Sequence, residues 1–234
     1  MQLDFDQSYM AKGERVVGID EAGRGPLAGP VVAGCVFLGE TLLGEIVAHF
    51  PELNDSKKLS ATRRENIFRF LVQNQVPYGT GYADPEEIDC RNILNATSLA
   101  MQRAVDALGV PFHLALVDGA HLRLLFPNVQ IVGGDGLSPR IALASIVAKV
   151  VRDRMMVQYE GLFPRFRFSH HKGYGTARHL WELEQFGPSP LHRLTFRPVW
   201  EKLQEEKLCR WVRQGRVSEE RKQAVWQKKG EQTA

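Results

Sequence analysis

Two short β-branched runs, Arg15–Ile19 and Val31–Leu38, constrain the fold more than any other feature of the chain. The link between them reads DEAGRGPLAGP, a stretch punctuated by Gly and Pro with no helical pattern. Parallel strands need a crossover of about a dozen residues or more, usually a helix. The two runs are therefore expected to pair antiparallel. Pro77–Ala83, His113–Val117 (HLALV) and Val129–Val132 read as further strands. Between them lie helical patterns. Ser60 is a good N-cap for a helix through Gln73. Asn92–Leu108 repeats apolar residues at Ile93, Ala96, Ala100, Ala104 and Leu108, and Gly109 closes it. Pro139–Gln158 reads as a long helix with a small-residue face at Ala142, Ser145 and Ala148, and Thr176–Phe186 as another. Early strands followed by mixed elements predict an α/β or α+β class with one mixed sheet.

A chain of 234 residues, 44% hydrophobic, can bury a proper core. After Trp200 the composition turns charged, with Trp211 and Trp226 interspersed. The expected division is a body over 1–199 and a charged, helical C-terminal extension over 200–234. That extension holds nine Lys or Arg against six Glu, which is the whole net charge of +3. Within the neutral body, Gly161–Trp181 has no Asp or Glu. It carries Arg165, Arg167, Lys172 and Arg178, with Phe163, Phe166, Phe168 and Tyr174 interleaved. This is either a footprint for a phosphate backbone or a basic surface loop. The start, MQLDFDQSYM, lacks the basic and apolar regions of a leader, so no signal peptide is expected. The longest apolar stretches are too short to span a bilayer. Three scattered cysteines, Cys35, Cys90 and Cys209, suit a reducing cytoplasm and neither a disulfide framework nor a zinc site.

Three acids stand at strand ends: Asp20 after the first run, Asp118 after HLALV, and Asp135 after QIVGG. A strand-end Asp is often a turn residue or helix cap. Three of them, with Glu21 beside Asp20, can also converge at one sheet edge. Clustered carboxylates repel unless a cation sits among them, and hard oxygen ligands suit Mg²⁺ or Mn²⁺. Asp20 and Glu21 face opposite ways on a continuing strand, so sharing one ion needs a turn there, which Ala22-Gly23 would permit. Gly23-Arg24-Gly25 is a tight turn or a loop whose bare backbone can approach a ligand. It lacks a dinucleotide fingerprint, because Pro26 and Pro30 replace the opening of a helix.

GIDEAGRGPLAGPVVAG (18–34) resembles the N-terminal signature of the type 2 ribonucleases H, the bacterial ribonuclease HII family in particular. LNDSKKLS, NILNATSLAMQRAV, LVDG, GGD, ASIVAKVVRDRMM, HKGYGT and GPSPLHRLTFRPV follow in that family's order and spacing, over roughly residues 14–199. The resemblance implies an α/β, ribonuclease H-like fold, a mixed central sheet flanked by helices. It implies endonucleolytic cleavage of RNA in RNA–DNA hybrids and 5′ of single ribonucleotides embedded in duplex DNA, by a monomer that needs no membrane. It implies Mg²⁺ or Mn²⁺, two ions per site with substrate bound, held by Asp20, Glu21, Asp118 and Asp135. Asp153 is a second candidate for the fourth acid. Gly23, Arg24 and Gly25 match the loop that reads the 2′-hydroxyl. Tyr174 matches the tyrosine that stacks under the sugar at the RNA–DNA junction.

Four more residues are candidates for substrate contact. Ser56 and Lys57 lie in a loop that contacts the nucleic-acid backbone in the family, or form a solvated turn. Lys149, amid small and apolar residues, snorkels or reaches a phosphate. His171 is expected to line the groove and brace the Tyr174 loop.

Overall fold

The computed structural model describes residues 3–9, 14–53 and 59–233. The chain forms two compact units. One holds residues 1–22, 31–82 and 97–152, and the other 23–30, 83–96 and 153–234.

The first unit carries a five-stranded sheet of β1 (Val16–Ala22), β2 (Val31–Phe37), β3 (Tyr78–Ala83), β4 (Leu114–Asp118) and β5 (Asn128–Ile131) in the order β3-β2-β1-β4-β5. β1 and β2 are antiparallel, with Ile19 opposite Cys35. β1 and β4 are parallel, as are β4 and β5. The sheet is mixed, as the short link between the first two runs requires. Parallel pairing sets the ends of β1 and β4 side by side: Ile19 is level with Val117, so Asp20 and Asp118 follow at the same edge.

Helices α1 (Leu3–Gln7), α2 (Glu40–His49) and α3 (Ala61–Gln73) belong to this unit, and α4 (Pro85–Arg91) to the other. The chain then passes through α5 (Ile93–Leu108) and α6 (Pro139–Leu162). Ser60 caps α3 as expected, its hydroxyl accepting from the Arg63 amide at 3.2 Å. α2 has no side-chain cap and is interrupted by Gly44, which hides it in the sequence, although Leu43 and Ile46 are buried. α4 opens on a capping box between Asp84 and Glu87 with Pro85 in its first turn.

α6 lies against the sheet closely enough to explain its small-residue face. A Cβ on Gly18 of β1 would stand 2.2 Å from the Arg140 carbonyl carbon. Gly18→Ala must push helix and strand apart, at a cost of about 3 kcal/mol read from denaturant midpoints. Leu143 and Val147 of α6 pack with Val36, Leu43, Ile46 and Leu71 in the core. Buried Arg140 binds Asp6 of α1 at 2.8 Å and the Leu38 carbonyl at 3.1 Å.

The second unit continues with α7 (Phe168–His171), α8 (Ala177–Phe186), α9 (Arg197–Trp200), α10 (Glu205–Arg213) and α11 (Glu219–Thr233). Phe168, Leu183, Leu194, Leu208, Trp211 and Val225 share its core. Buried Asp89 of α4 accepts from the Leu194 and Thr195 amides, each at 2.9 Å, and from Arg221 Nε of α11 at 2.8 Å. Arg221 also donates to the carbonyls of Pro190 at 2.9 Å and His192 at 2.6 Å. The helices after Trp200 are thus bound into this unit through a buried ion pair. Among the described residues no helix is long and apolar enough to cross a membrane.

Candidate active site

In the first unit, Asp20 is buried at the end of β1. Its Oδ1 accepts the Glu21 amide at 2.7 Å, and Ser145 of α6 hydrogen-bonds its side chain. Burial, then the neighbouring charges of Glu21 and Asp118, push its carboxyl well above the ordinary carboxylate range. These three acids therefore interact. β1 runs on through Ala22, and the turn that Ala22-Gly23 permits falls at Gly23 (φ 97°). Asp118 Oδ1 accepts the Gly134 amide at 2.6 Å. That bond joins the end of β4 to the 3₁₀ turn Gly134–Gly136, in which Asp135 is buried. Asp135 is thus one residue from the amide that Asp118 holds. Lys149 is half-buried on α6, one turn beyond Ser145 on the same face.

Among the described residues no three His, Cys, Asp or Glu side chains are already arranged to hold a metal ion. The acids fit a divalent cation on another ground. They are hard oxygen donors, and their like charges penalise ionisation of Asp20, a penalty that a cation removes. Neither Cys35 nor Cys90 suits thiolate chemistry. Burial pushes the Cys35 thiol up to about 12, and Cys90 is raised to about 11 by burial and then Glu220.

In the second unit, the loop 23–30 is pinned from beneath by Arg193, a buried residue with no role expected from its place in the sequence. Its Nη2, Nη1 and Nε donate to the carbonyls of Gly23 (2.5 Å), Arg24 (2.7 Å) and Gly29 (3.1 Å). Arg24 and Gly25 stay exposed, and space around Gly25 is open. The same loop meets the HKGYGT segment: the Leu27 amide donates to the Gly173 carbonyl at 2.8 Å. Gly173 has φ 82°, and a Cβ there would stand 2.3 Å from the Ala28 carbonyl oxygen, so only glycine fits. Tyr174 follows, exposed. The fold thus brings Gly23–Gly25 and Tyr174 together through neighbouring backbones.

His171 is buried and acts on the loop from inside. Its Nδ1 accepts the Gly173 amide at 3.1 Å, so its proton sits on Nε2, 3.0 Å from Glu182 Oε2. His192 Nδ1 accepts the Ser189 amide at 3.0 Å, which leaves Nε2–H facing His179 Nε2 at 3.0 Å. His179 then donates through Nδ1 to the Tyr174 carbonyl at 2.9 Å. Every bond is satisfied by neutral rings. The His171 and His179 rings stack, with centroids 4.1 Å apart. Burial and then His171 push His179 down to about 4, while burial and then His179 push His192 well below its ordinary value. The unfolded chain therefore binds more protons than the folded one between pH 6.5 and about 4. Stability is full above this window and falls as pH drops through it. From pH 7 to 4.5 urea unfolding should report a loss of about 2–3 kcal/mol from His179 alone. Ser56 and Lys57 lie outside the described residues.

The family model described as Ribonuclease HII matches residues 17–202, which include the acids, the pinned loop and the histidines. The chain belongs to the ribonuclease HII family. It is 48% identical to a ribonuclease HII of Syntrophotalea carbinolica over 203 residues, 86% of this chain and 94% of that one. It is 44% identical to a ribonuclease HII of Thermotoga maritima over 219 residues, covering 94% and 88%. The crystal structure of ribonuclease H2 from Pyrococcus horikoshii superposes with a TM-score of 0.68 at 25% identity, over 80% of this chain and 96% of that one. The fold extends to a Bst ribonuclease HIII in complex with Mn²⁺, with a TM-score of 0.64 at 15% identity over 83% and 71%. The ribonuclease H-like fold expected from the motifs is the one present, and the chain is a hydrolase of the ribonuclease H class.

Proposed function

We propose that this ribonuclease HII cleaves the RNA strand of RNA–DNA hybrids and nicks 5′ of single ribonucleotides in duplex DNA, leaving 3′-hydroxyl and 5′-phosphate ends. Its place would be ribonucleotide removal in DNA replication and repair, in the cytoplasm and as a monomer. The observation that carries the reading is the group Asp20, Glu21 and Asp118, with Asp135 one residue from the Asp118 hydrogen bond. These acids would hold Mg²⁺ or Mn²⁺, which activates water and stabilises charge at the scissile phosphate. Ser145 orients the Asp20 carboxylate. The Gly134 amide orients that of Asp118.

The 2′-hydroxyl is the group that separates RNA from DNA. Exposed Gly25 and the backbone from Gly23 to Arg24 would hydrogen-bond it, and their conformation is held by Arg193. Tyr174 offers a flat ring that tolerates any base. Lys149 would supply a cation for a backbone phosphate, as would Lys57, Ser56 would offer a hydroxyl to the same backbone, and His171 sets the Tyr174 loop. The deciding experiment uses a labelled duplex with one ribonucleotide, mapped at nucleotide resolution in Mg²⁺ and in Mn²⁺. A single cut on the 5′ side of the ribonucleotide is expected. Tight duplex binding with no cut in either ion would overturn the reading.

A further inference from the structure

A cleft of about 300 Å³ lies wholly within the second unit, among the ends of α6, α8 and α10. The charged side chains in its lining are Arg165, Lys207 and Arg216, all cations. Among the described residues no carboxylate lines it. Two of the three are held over aromatic rings. Arg165 lies 5.9 Å from the Phe186 ring centroid, and Lys207 Nζ lies 5.2 Å from that of Trp211. Lys207 also donates to the Phe186 carbonyl at 3.3 Å, which leaves two of its three N–H groups for other acceptors. Burial, then Arg165 and Arg210, hold Lys207 below its ordinary value. Its strongest electrostatic neighbours are thus of its own sign. A structural role accounts for one bond, the capping of α8 by Lys207. It does not account for three cations converging on an apolar floor without an acid to balance them.

We propose that this cleft binds a phosphate group. Two guanidinium forks and an ammonium present many donors to a small tetrahedral anion, which a planar carboxylate matches less well. The ring contacts preset Arg165 and Lys207, so less ordering is lost on binding. The phosphate has two sources with this same chemistry: a nucleic-acid backbone beyond the cleaved bond, or a free small phosphate. The backbone source rests on the nuclease reading above, and the free phosphate does not.

The test compares the full chain with the triple variant Arg165→Gln/Lys207→Gln/Arg216→Gln. The double variant Arg165→Gln/Arg216→Gln, which spares the α8 cap, serves if the triple does not fold. Binding of a labelled duplex is followed by anisotropy across a salt series, and Tm is measured in phosphate, acetate and chloride at equal ionic strength. For a backbone phosphate, the variant binds duplex about tenfold more weakly. Its log–log salt slope becomes shallower by about one for each phosphate it no longer neutralises. KM for cleavage rises while kcat holds. For a free phosphate, duplex binding is unchanged, and a phosphate-specific rise in Tm is present in the parent and absent in the variant. The proposal fails if a folded variant matches the parent in duplex binding and salt slope and, in addition, phosphate stabilises the parent no better than acetate does. Ribonucleotide-specific cutting by the parent is read separately, so a failure of the nuclease reading is visible on its own.

Discussion

Asp118→Asn is expected to abolish metal-dependent cleavage of a ribonucleotide-bearing duplex, lowering kcat by on the order of a thousandfold, while duplex binding and the fold persist. The amide oxygen of the new side chain can still accept the Gly134 N–H that Asp118 Oδ1 now holds at 2.6 Å. What disappears is a negative charge beside Asp20, and that charge is one reason the Asp20 carboxyl is hard to ionise. The substitution thus separates two effects that usually travel together. On the proposed metal role, activity should collapse because a ligand for the ion is gone. Tm stays level or rises, because like-charge repulsion in the folded state has been relieved. Cleavage assays and thermal unfolding of one preparation decide the matter. An active variant refutes the metal role of Asp118. An inactive variant with a much lower Tm shows that the residue serves the fold instead.

The second large effect is expected at Arg193. Arg193→Met removes the donors for the carbonyls of Gly23, Arg24 and Gly29 at once. Unpaired buried acceptors cost about 1–3 kcal/mol each, and water entering the loop recovers part of that, so a net loss of about 3–5 kcal/mol is expected. Arg193→Lys keeps the charge but cannot reach three carbonyls with one ammonium. It should regain some stability without restoring the loop. If the loop reads the sugar, both variants lose discrimination between a ribonucleotide and its deoxy counterpart, even under conditions where they are fully folded. Discrimination equal to the parent's in a folded Arg193→Lys would detach the loop from sugar recognition.

Much of this was legible in the residues. The short Gly/Pro link announced the antiparallel β1–β2 pair, Ser60 announced α3, and the strand-end positions of Asp20 and Asp118 announced an acidic edge. Each is local: a few neighbouring residues carry the whole signal. The turn that Ala22-Gly23 permits falls at Gly23, because pairing with β2 extends the strand through Ala22. α2 was hidden by its missing cap, and α7 and α9, four residues each, are too short to show a period. The supports of the loop were not legible at all. Arg193 acts on a carbonyl 170 residues away, and His192 meets His179 through ring nitrogens that no spacing rule connects. The HR pair in GPSPLHRLTF was visible as a motif, but two polar residues in an aperiodic segment give no hint of burial.

The distance from Gly23 to Arg193 also has a meaning in time. A ribosome adds roughly 5–20 residues each second, so the loop emerges some ten to thirty seconds before the side chain that fixes it. Asp89 likewise waits for Arg221, 132 residues later. The second unit cannot close during early synthesis, whatever the first has achieved. A nascent chain therefore carries its acids well before it carries a settled loop. The settled loop is acquired late, close to release, and pulse-labelled proteolysis of stalled chains should find residues 23–30 cleavable until position 193 has left the exit tunnel.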